Sequence, residues 1–328
     1  MTSTRPLEIA AFLDRQRWGE AQGEAFDADF SPRRYMRLTQ DTGKTAILMD
    51  ADTDQKTPEF IAVANILRRT GLLVPEIYSA NAEQGLVLMQ DFGTRNVGAL
   101  LDAGASPLPF FLRAAEVLAR LHCGFESTEA IGIDLPLYNA ALFTTQAELF
   151  LDAYFPFATQ RAPTDEERQD FCTAWQSVLR PIDLLPTSLL LRDFMPDNLM
   201  DVPQQGLGVL DFQDAGIGPT AYDLASLCEE VRRDGGFALL PEVIAHYLKI
   251  LSQEGTPAII SAPDLLRACT ILSAQRHTRI LGTIVRLSMK SGRRDKLAFL
   301  PRIRNHLAYI LNEPYLFPVQ EWMKSNNA

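Results

Sequence analysis

The chain has 328 residues, 47% of them hydrophobic and 22% charged. That length suits one large domain or two, with enough buried surface to fold without disulfide or metal staples. Its 31 Lys and Arg stand against 41 Asp and Glu, a net charge of -10, the wrong sign for gripping a phosphate backbone, so nucleic acid is not expected as a partner. The N-terminus alternates apolar and charged residues, unlike a secretory signal. No apolar run approaches the roughly 18 residues of a membrane span, so no membrane partner is expected either. Cys123, Cys172, Cys228 and Cys269 are scattered without paired spacing, which fits reduced core thiols and a cytoplasmic setting.

In chain order, residues 7–18 carry helical spacing. The period changes to two over residues 34–39, a turn follows at 41–44, and residues 45–49 read as the returning strand of a hairpin. Residues 50–58 are polar and predict a loop. Residues 59–69 return to helical period and stop at Gly71, and residues 74–78 and 85–90 predict two more strands. Beyond residues 91–93, helices are predicted over 109–122, 142–154 and 165–179. A strand-and-turn island occupies residues 188–211, and helical patterns resume near Tyr222, Pro241, Pro263 and Pro301, the prolines suiting a first helical turn. The basic stretch 293–296 reads as a solvated loop. The expected fold is α+β and two-lobed, a small strand-rich lobe of residues 1–92 and a larger helical lobe of residues 93–328, with a ligand cleft between them.

The island carries the chemistry. Asp193 and Asn198 have the D-x-x-x-x-N spacing of a kinase catalytic loop. Apolar runs on either side of Pro203-Gln-Gln-Gly206 predict a hairpin that returns Asp211 beside Asn198. One carboxylate then faces a substrate hydroxyl, while an amide oxygen and a second carboxylate converge on a hard cation, the parts phosphoryl transfer requires. Asp193, Asp197, Asp211 and Asp214 crowd one short segment. Like charges about 4 Å apart repel by roughly 4 kcal/mol at an effective dielectric near 20, and Mg²⁺ is the simplest relief. The spacing alone is also ordinary turn chemistry; Asp211-Phe212 and the two-lobe pattern favour the catalytic reading. Gly43-Lys44-Thr45 is a hairpin turn, since it lacks the upstream glycine of a P-loop. His122, His246, His277 and His306 are dispersed over helical segments and read as packed residues.

With these residues the sequence resembles the aminoglycoside phosphotransferase and choline kinase branch of the protein-kinase-like fold, whose loop reads H-x-D-x-x-x-x-N and whose metal segment reads D-F/W-x-x-A. The resemblance implies ATP and Mg²⁺ as cofactors, Asp193 as catalytic base, and Asn198 and Asp211 as metal ligands. It implies that Met89, Gln90, Asp91 and Phe92 form the hinge whose backbone holds adenine. Arg192 and Asp223 would support the loop; Asp223 can equally be a helix N-terminal residue favoured by the dipole.

A narrower similarity, to bacterial anomeric kinases acting on the 1-hydroxyl of N-acetylmuramate and N-acetylglucosamine in cell-wall recycling, rests on residues 28–37, 47–51, 148–154 and 275–282. It implies a sugar or amino-sugar acceptor, with Asp214, Arg276 and His277 as candidate contacts. The chain departs from the broader pattern at Leu191, where the loop histidine belongs, at Gln213, where glycine follows Asp-Phe, and at Met49, where a strand lysine should pair with the phosphates. Arg34 or Arg37 on the neighbouring strand is expected to supply that charge. An aminoglycoside- or choline-type acceptor, or a catalytically silent nucleotide binder, remain alternatives at this level.

Overall fold

Period-two alternation sorts the N-terminal third of the chain into two faces of one sheet. The computed structural model describes residues 4–26, 33–51, 56–256, 260–292 and 294–328; the start of the motif at residues 28–32, the middle of the loop at 52–55 and Arg293 lie outside them. Helix α1 (Arg5–Arg15) precedes β1 (Gln22–Ala25), β2 (Arg34–Thr39), β3 (Thr45–Asp50), α2 (Thr57–Arg69), β4 (Ile77–Asn81) and β5 (Leu86–Gln90). The sheet runs β1-β2-β3-β5-β4 with antiparallel neighbours. On one face Met36, Leu38, Ala46, Leu48, Leu86 and Leu88 pack against Phe12, Leu13 and Trp18. On the other, Tyr35, Ile47, Met49, Val87 and Met89 join the main core with Phe60, Val63 and Leu67 of α2. Strand β1 was not anticipated, because all four of its residues are exposed and leave no alternation to read. Gly71 ends α2 at φ +79°, where a residue with a Cβ would be strained.

The rest is mostly helical: α3 (Val97–Asp102), α4 (Pro107–Gly124), α5 (Ala140–Ala147), α6 (Phe155–Thr159) and α7 (Asp165–Leu179) come before the island. The island folds as two ribbons, β6 (Thr187–Leu190) with β9 (Gly216–Pro219) and β7 (Leu199–Val202) with β8 (Gly206–Val209). Then follow α8 (Ala221–Cys228), α9 (Gly236–Gln253), α10 (Ala262–Ser291), α11 (Leu300–Ile310) and α12 (Phe317–Ser325). The single helix expected over 142–154 instead breaks at a wide π turn, Phe150–Tyr154, whose preceding backbone is closely approached by Gly282 of α10. Helix α9 starts at Gly236, so Pro241 lies inside it rather than in its first turn. The short α3, β9 and the C-terminal α12 were not anticipated.

The main core runs without a break from Met49 to Met323. Helix α10 is its axis, packed by α8, α9, α11 and the π turn, which explains why Gln275, Arg276, His277 and Thr278 are all buried despite being polar. No helix among the described residues is long and apolar enough to cross a membrane. The four cysteines are free thiols.

Candidate active site

The loop after β6 is held from below. Asp223, fully buried in α8, accepts hydrogen bonds from the backbone N–H of Leu191 at 2.7 Å and of Arg192 at 2.9 Å. The two oxygens of one carboxylate thus fix consecutive amides across 31 and 32 residues of sequence, so Asp223 reaches the loop, not merely its own helix terminus. Leu191 fills the histidine position as a buried apolar residue, and Arg192 takes φ +71°. Its guanidinium donates to Tyr138 Oη at 3.0 Å.

Burial pushes the Asp223 carboxyl up to about 7, against the pull of the two amides. Its folded pKa lies above the unfolded value of about 3.9, so the folded state binds the extra proton. The stability it contributes is full below about pH 4 and is lost as pH rises to about 7, at up to roughly 1.4 kcal/mol per unit. In urea melts between these limits, wild type is expected to lose stability relative to Asp223→Asn as pH rises, and the difference to level off above about 7. A difference that does not change with pH would refute this assignment.

The hairpin brings the next residues together. Asn198 Nδ2 donates to the Asp193 carbonyl at 2.8 Å and lies 3.4 Å from Asp211 Oδ2. Gln213 Nε2 donates to Asp211 Oδ1 at 2.7 Å, so the residue in the glycine position orients the carboxylate. Asp211 adopts φ +59°, and Phe212 stacks on Phe60 with centroids 4.9 Å apart. Such a stacked pair contributes about 0.5–1.5 kcal/mol beyond its buried area and ties Asp211 to α2. Burial raises the Asp211 pKa, opposed by the Gln213 bond and assisted by Asp193 and Asp214. A half-buried carboxylate beside an amide and two further carboxylates is an all-oxygen donor set that suits a hard divalent cation. Asp197 needs no metal: Arg233 at 2.9 Å and Arg232 at 3.2 Å neutralise it, which corrects the four-carboxylate crowding expected from the sequence.

A cavity of about 580 Å³ lies between the sheet and this hairpin, lined by Asn198 and Asp211 on one side and Met89, Gln90, Asp91 and Phe92 on the other. The Phe92 ring rests on Gly208, where a Cβ would come within 2.6 Å of it. Strand parity decides which arginines face the cavity. Arg33, Tyr35 and Arg37 line it. Arg34 does not: its side chain lies on the other face, where it pairs with Asp50 at 2.9 Å, so its expected nucleotide contact is corrected. Arg37 is engaged by the hinge, donating to both Asp91 oxygens at 2.7 and 3.1 Å and to the Gly93 carbonyl at 2.8 Å.

Arg33, which sequence reasoning passed over, is buried, hydrogen-bonds the Tyr35 side chain and lies within the field of Asp211. Tyr35 is directly opposite Met49, so Arg33 enters beside the position of the missing lysine. Its alternation with Tyr35 and Arg37 was the available signal.

Of the acceptor candidates, Asp214 is half-buried and its carbonyl accepts from Tyr138 Oη at 3.1 Å. Arg276 and His277, expected to face an acceptor, are instead closed into the interior at 1% and 0% exposure and do not line the cavity. Arg276 donates to the Glu229 carbonyl at 3.2 Å, and its charge reaches Asp193 from behind the loop.

Residues 22–259 match the profile described as "Phosphotransferase enzyme family". The chain belongs to that family. It is a small-molecule kinase. A relative in Pseudomonas aeruginosa, named N-acetylmuramate/N-acetylglucosamine kinase, is 30% identical over 94% of this chain and 90% of its own. A relative of the same name in Neisseria meningitidis is 28% identical over 86% of this chain and 83% of its own. Among solved structures, the GDP complex of aminoglycoside 2'-phosphotransferase-IIIa superposes with a TM-score of 0.65 at 16% identity, covering 94% of this chain and 99% of that one. A choline kinase from Streptococcus pneumoniae gives 0.64 at 16% identity, covering 94% of this chain and all of the other. These structures share the protein-kinase-like fold with this phosphotransferase, as its sequence motifs implied.

Proposed function

We propose that this phosphotransferase moves the γ-phosphate of ATP to the anomeric hydroxyl of N-acetylmuramate or N-acetylglucosamine, with Mg²⁺ as cofactor. The observation that carries the reading is that Asn198 and Asp211 meet at 3.4 Å on the wall of one cavity, with Asn198 also bonded to the Asp193 backbone, in a chain whose named relatives match it over nearly its whole length. The structural neighbour with GDP supports a nucleotide in that cavity. The four free thiols support a reducing, cytoplasmic setting.

The base of the nucleotide would lie against Met89–Phe92, with hinge backbone groups as its hydrogen-bond partners. Asn198 and Asp211 would hold Mg²⁺, which when bound neutralises phosphate charge and orients the transferring group. Arg33 would place a fixed positive charge beside the phosphates from the strand next to Met49. Asp193, its backbone held by Asn198 and its loop by Asp223, accepts the proton of the attacking hydroxyl. Asp214, on the same loop system, would lie close to the reacting alcohol.

Incubation with Mg²⁺, ATP and separate N-acetylmuramate, N-acetylglucosamine, choline and kanamycin, followed by phosphorus NMR, tests this reading. The expected product shows phosphate coupled to the anomeric proton of the amino sugars alone. Phosphocholine or phosphorylated kanamycin as the main product would replace the acceptor class. ATP binding without any product would make the chain a silent binder.

A further inference from the structure

Away from the nucleotide cavity, three side chains from three separate elements converge in the helical part. Glu229 follows the end of α8, His277 is midway along α10 and His306 is on α11. One ligand atom from each lies within 4.8 Å of the others. His277 Nε2 is 3.9 Å from Glu229 Oε2, and the two imidazole centroids are 6.0 Å apart. Glu229 is 2% exposed and His277 0%. Glu229 Oε1 and His277 Nε2 are both buried with no hydrogen-bond partner among the described residues, an arrangement that native interiors rarely leave unanswered.

The tautomer of His277 can be assigned from its other nitrogen. Nδ1 is 2.7 Å from the Ser273 carbonyl, which only accepts, so Nδ1 carries the hydrogen and Nε2 presents a lone pair. Burial holds this ring neutral, with its pKa lowered to about 3. That lone pair faces the Glu229 carboxyl, whose pKa burial raises to about 8 against the pull of Arg276. His306 supplies a second imidazole, and Asp234 lies 3.5 Å from its Nε2.

The Ser273 carbonyl on His277 is the kind of outer partner that orients an imidazole toward a metal; Asp234 beside His306 is itself paired with Arg302 at 2.6 Å. The other two histidines are committed elsewhere, His122 to Tyr247 at 2.7 Å and His246 to Glu116 at 2.9 Å. Arg276, the neighbouring cation, donates to the Glu229 backbone carbonyl, and its charge acts on the Glu229 carboxyl as well as on Glu230 and Asp193.

We propose that Glu229, His277 and His306 form a second metal site, for a zinc-class divalent ion, that clamps the end of α8 to α10 and α11. Two imidazole nitrogens and one carboxylate oxygen suit Zn²⁺ or Co²⁺, whereas Mg²⁺ prefers oxygen donors throughout. Tetrahedral bonds of about 2.0–2.1 Å place ligand atoms about 3.4 Å apart, so the cluster closes by roughly 1 Å on binding. Movement of the partly exposed His306 is the simplest way to close it. The site is independent of the proposed reaction. Its ion acts on the stability of the helical part, which includes the helix carrying Asp223.

The test uses the full, tag-free chain after chelator treatment and dialysis. Co²⁺ is expected to bind as a single equivalent with a visible d–d band of low-symmetry coordination, and Zn²⁺ to displace it. Excess Mg²⁺ should leave the band intact. The melting temperature should rise with the logarithm of free Zn²⁺. His306→Ala, a partly exposed position outside the catalytic loop, should keep the wild-type circular dichroism and weaken Zn²⁺ binding by roughly 100-fold. Glu229→Gln should do the same while keeping side-chain volume. Absence of the Co²⁺ band in wild type, or a band and melting shift identical in wild type and His306→Ala, would overturn the site and leave a proton shared by Glu229 and His277 as the cluster's occupant.

Discussion

Asp193→Asn is expected to bind ATP like wild type and to turn over at least about 100-fold more slowly. General-base catalysis is typically worth about 10²–10⁴-fold, and an amide of the same shape cannot take a proton at neutral pH. The substitution should leave the fold intact. Asn198 bonds the backbone carbonyl of residue 193, and Asp223 bonds the amides of the two residues before it; neither contact uses the side chain. Removing one negative charge also relieves Asp211, whose protonation Asp193 now favours, so the melting temperature should hold or rise while activity falls. That divergence separates a chemical defect from misfolding. Rates within a few-fold of wild type would remove Asp193 from the mechanism.

The local pattern of the site could be read from sequence, while its long-range neutralisation could not. Asp193, Asn198 and Asp211 are close in sequence, and apolar runs on both sides of a turn forecast the hairpin that unites them; Leu199 pairs with Val209 as that reading requires. Asp197 illustrates the opposite case. Its counter-charges, Arg232 and Arg233, are 35 and 36 residues away, beyond any local periodicity, so metal seemed necessary where arginine suffices. The broken helix near Phe150 lies against a glycine on a distant helix, and the burial of Arg276 and His277 follows from the central place of α10. Neither cause is written in the neighbouring residues.

The arginines of β2 and the one just before it show how sharply one residue of offset matters. Side chains alternate between faces with a period of two, so Arg33, Tyr35 and Arg37 share the cavity face while Arg34 goes to Asp50 behind the sheet. Substitutions at these three positions should therefore separate. Arg33→Met removes the charge beside Asp211 but keeps an unbranched side chain of fair volume; turnover with saturating acceptor should fall by about 10²–10³-fold, the usual loss when one preorganised charge partner of a transition state is removed. Arg33→Lys should recover part of that loss, because charge is kept while the planar fork is not.

Arg34→Ala should leave kinetics unchanged and cost no more than about 1 kcal/mol of stability, because Arg34 is largely exposed and the buried Asp50 keeps Arg5 as a partner. Arg37→Ala should act mainly on the KM for ATP, since it braces Asp91 and Gly93 of the hinge rather than the phosphates. Steady-state kinetics with ATP varied at saturating acceptor, alongside melting curves, resolves the three. If Arg33→Met keeps wild-type turnover while Arg34→Ala loses it, the parity argument fails, and the charge opposite Met49 must come from elsewhere.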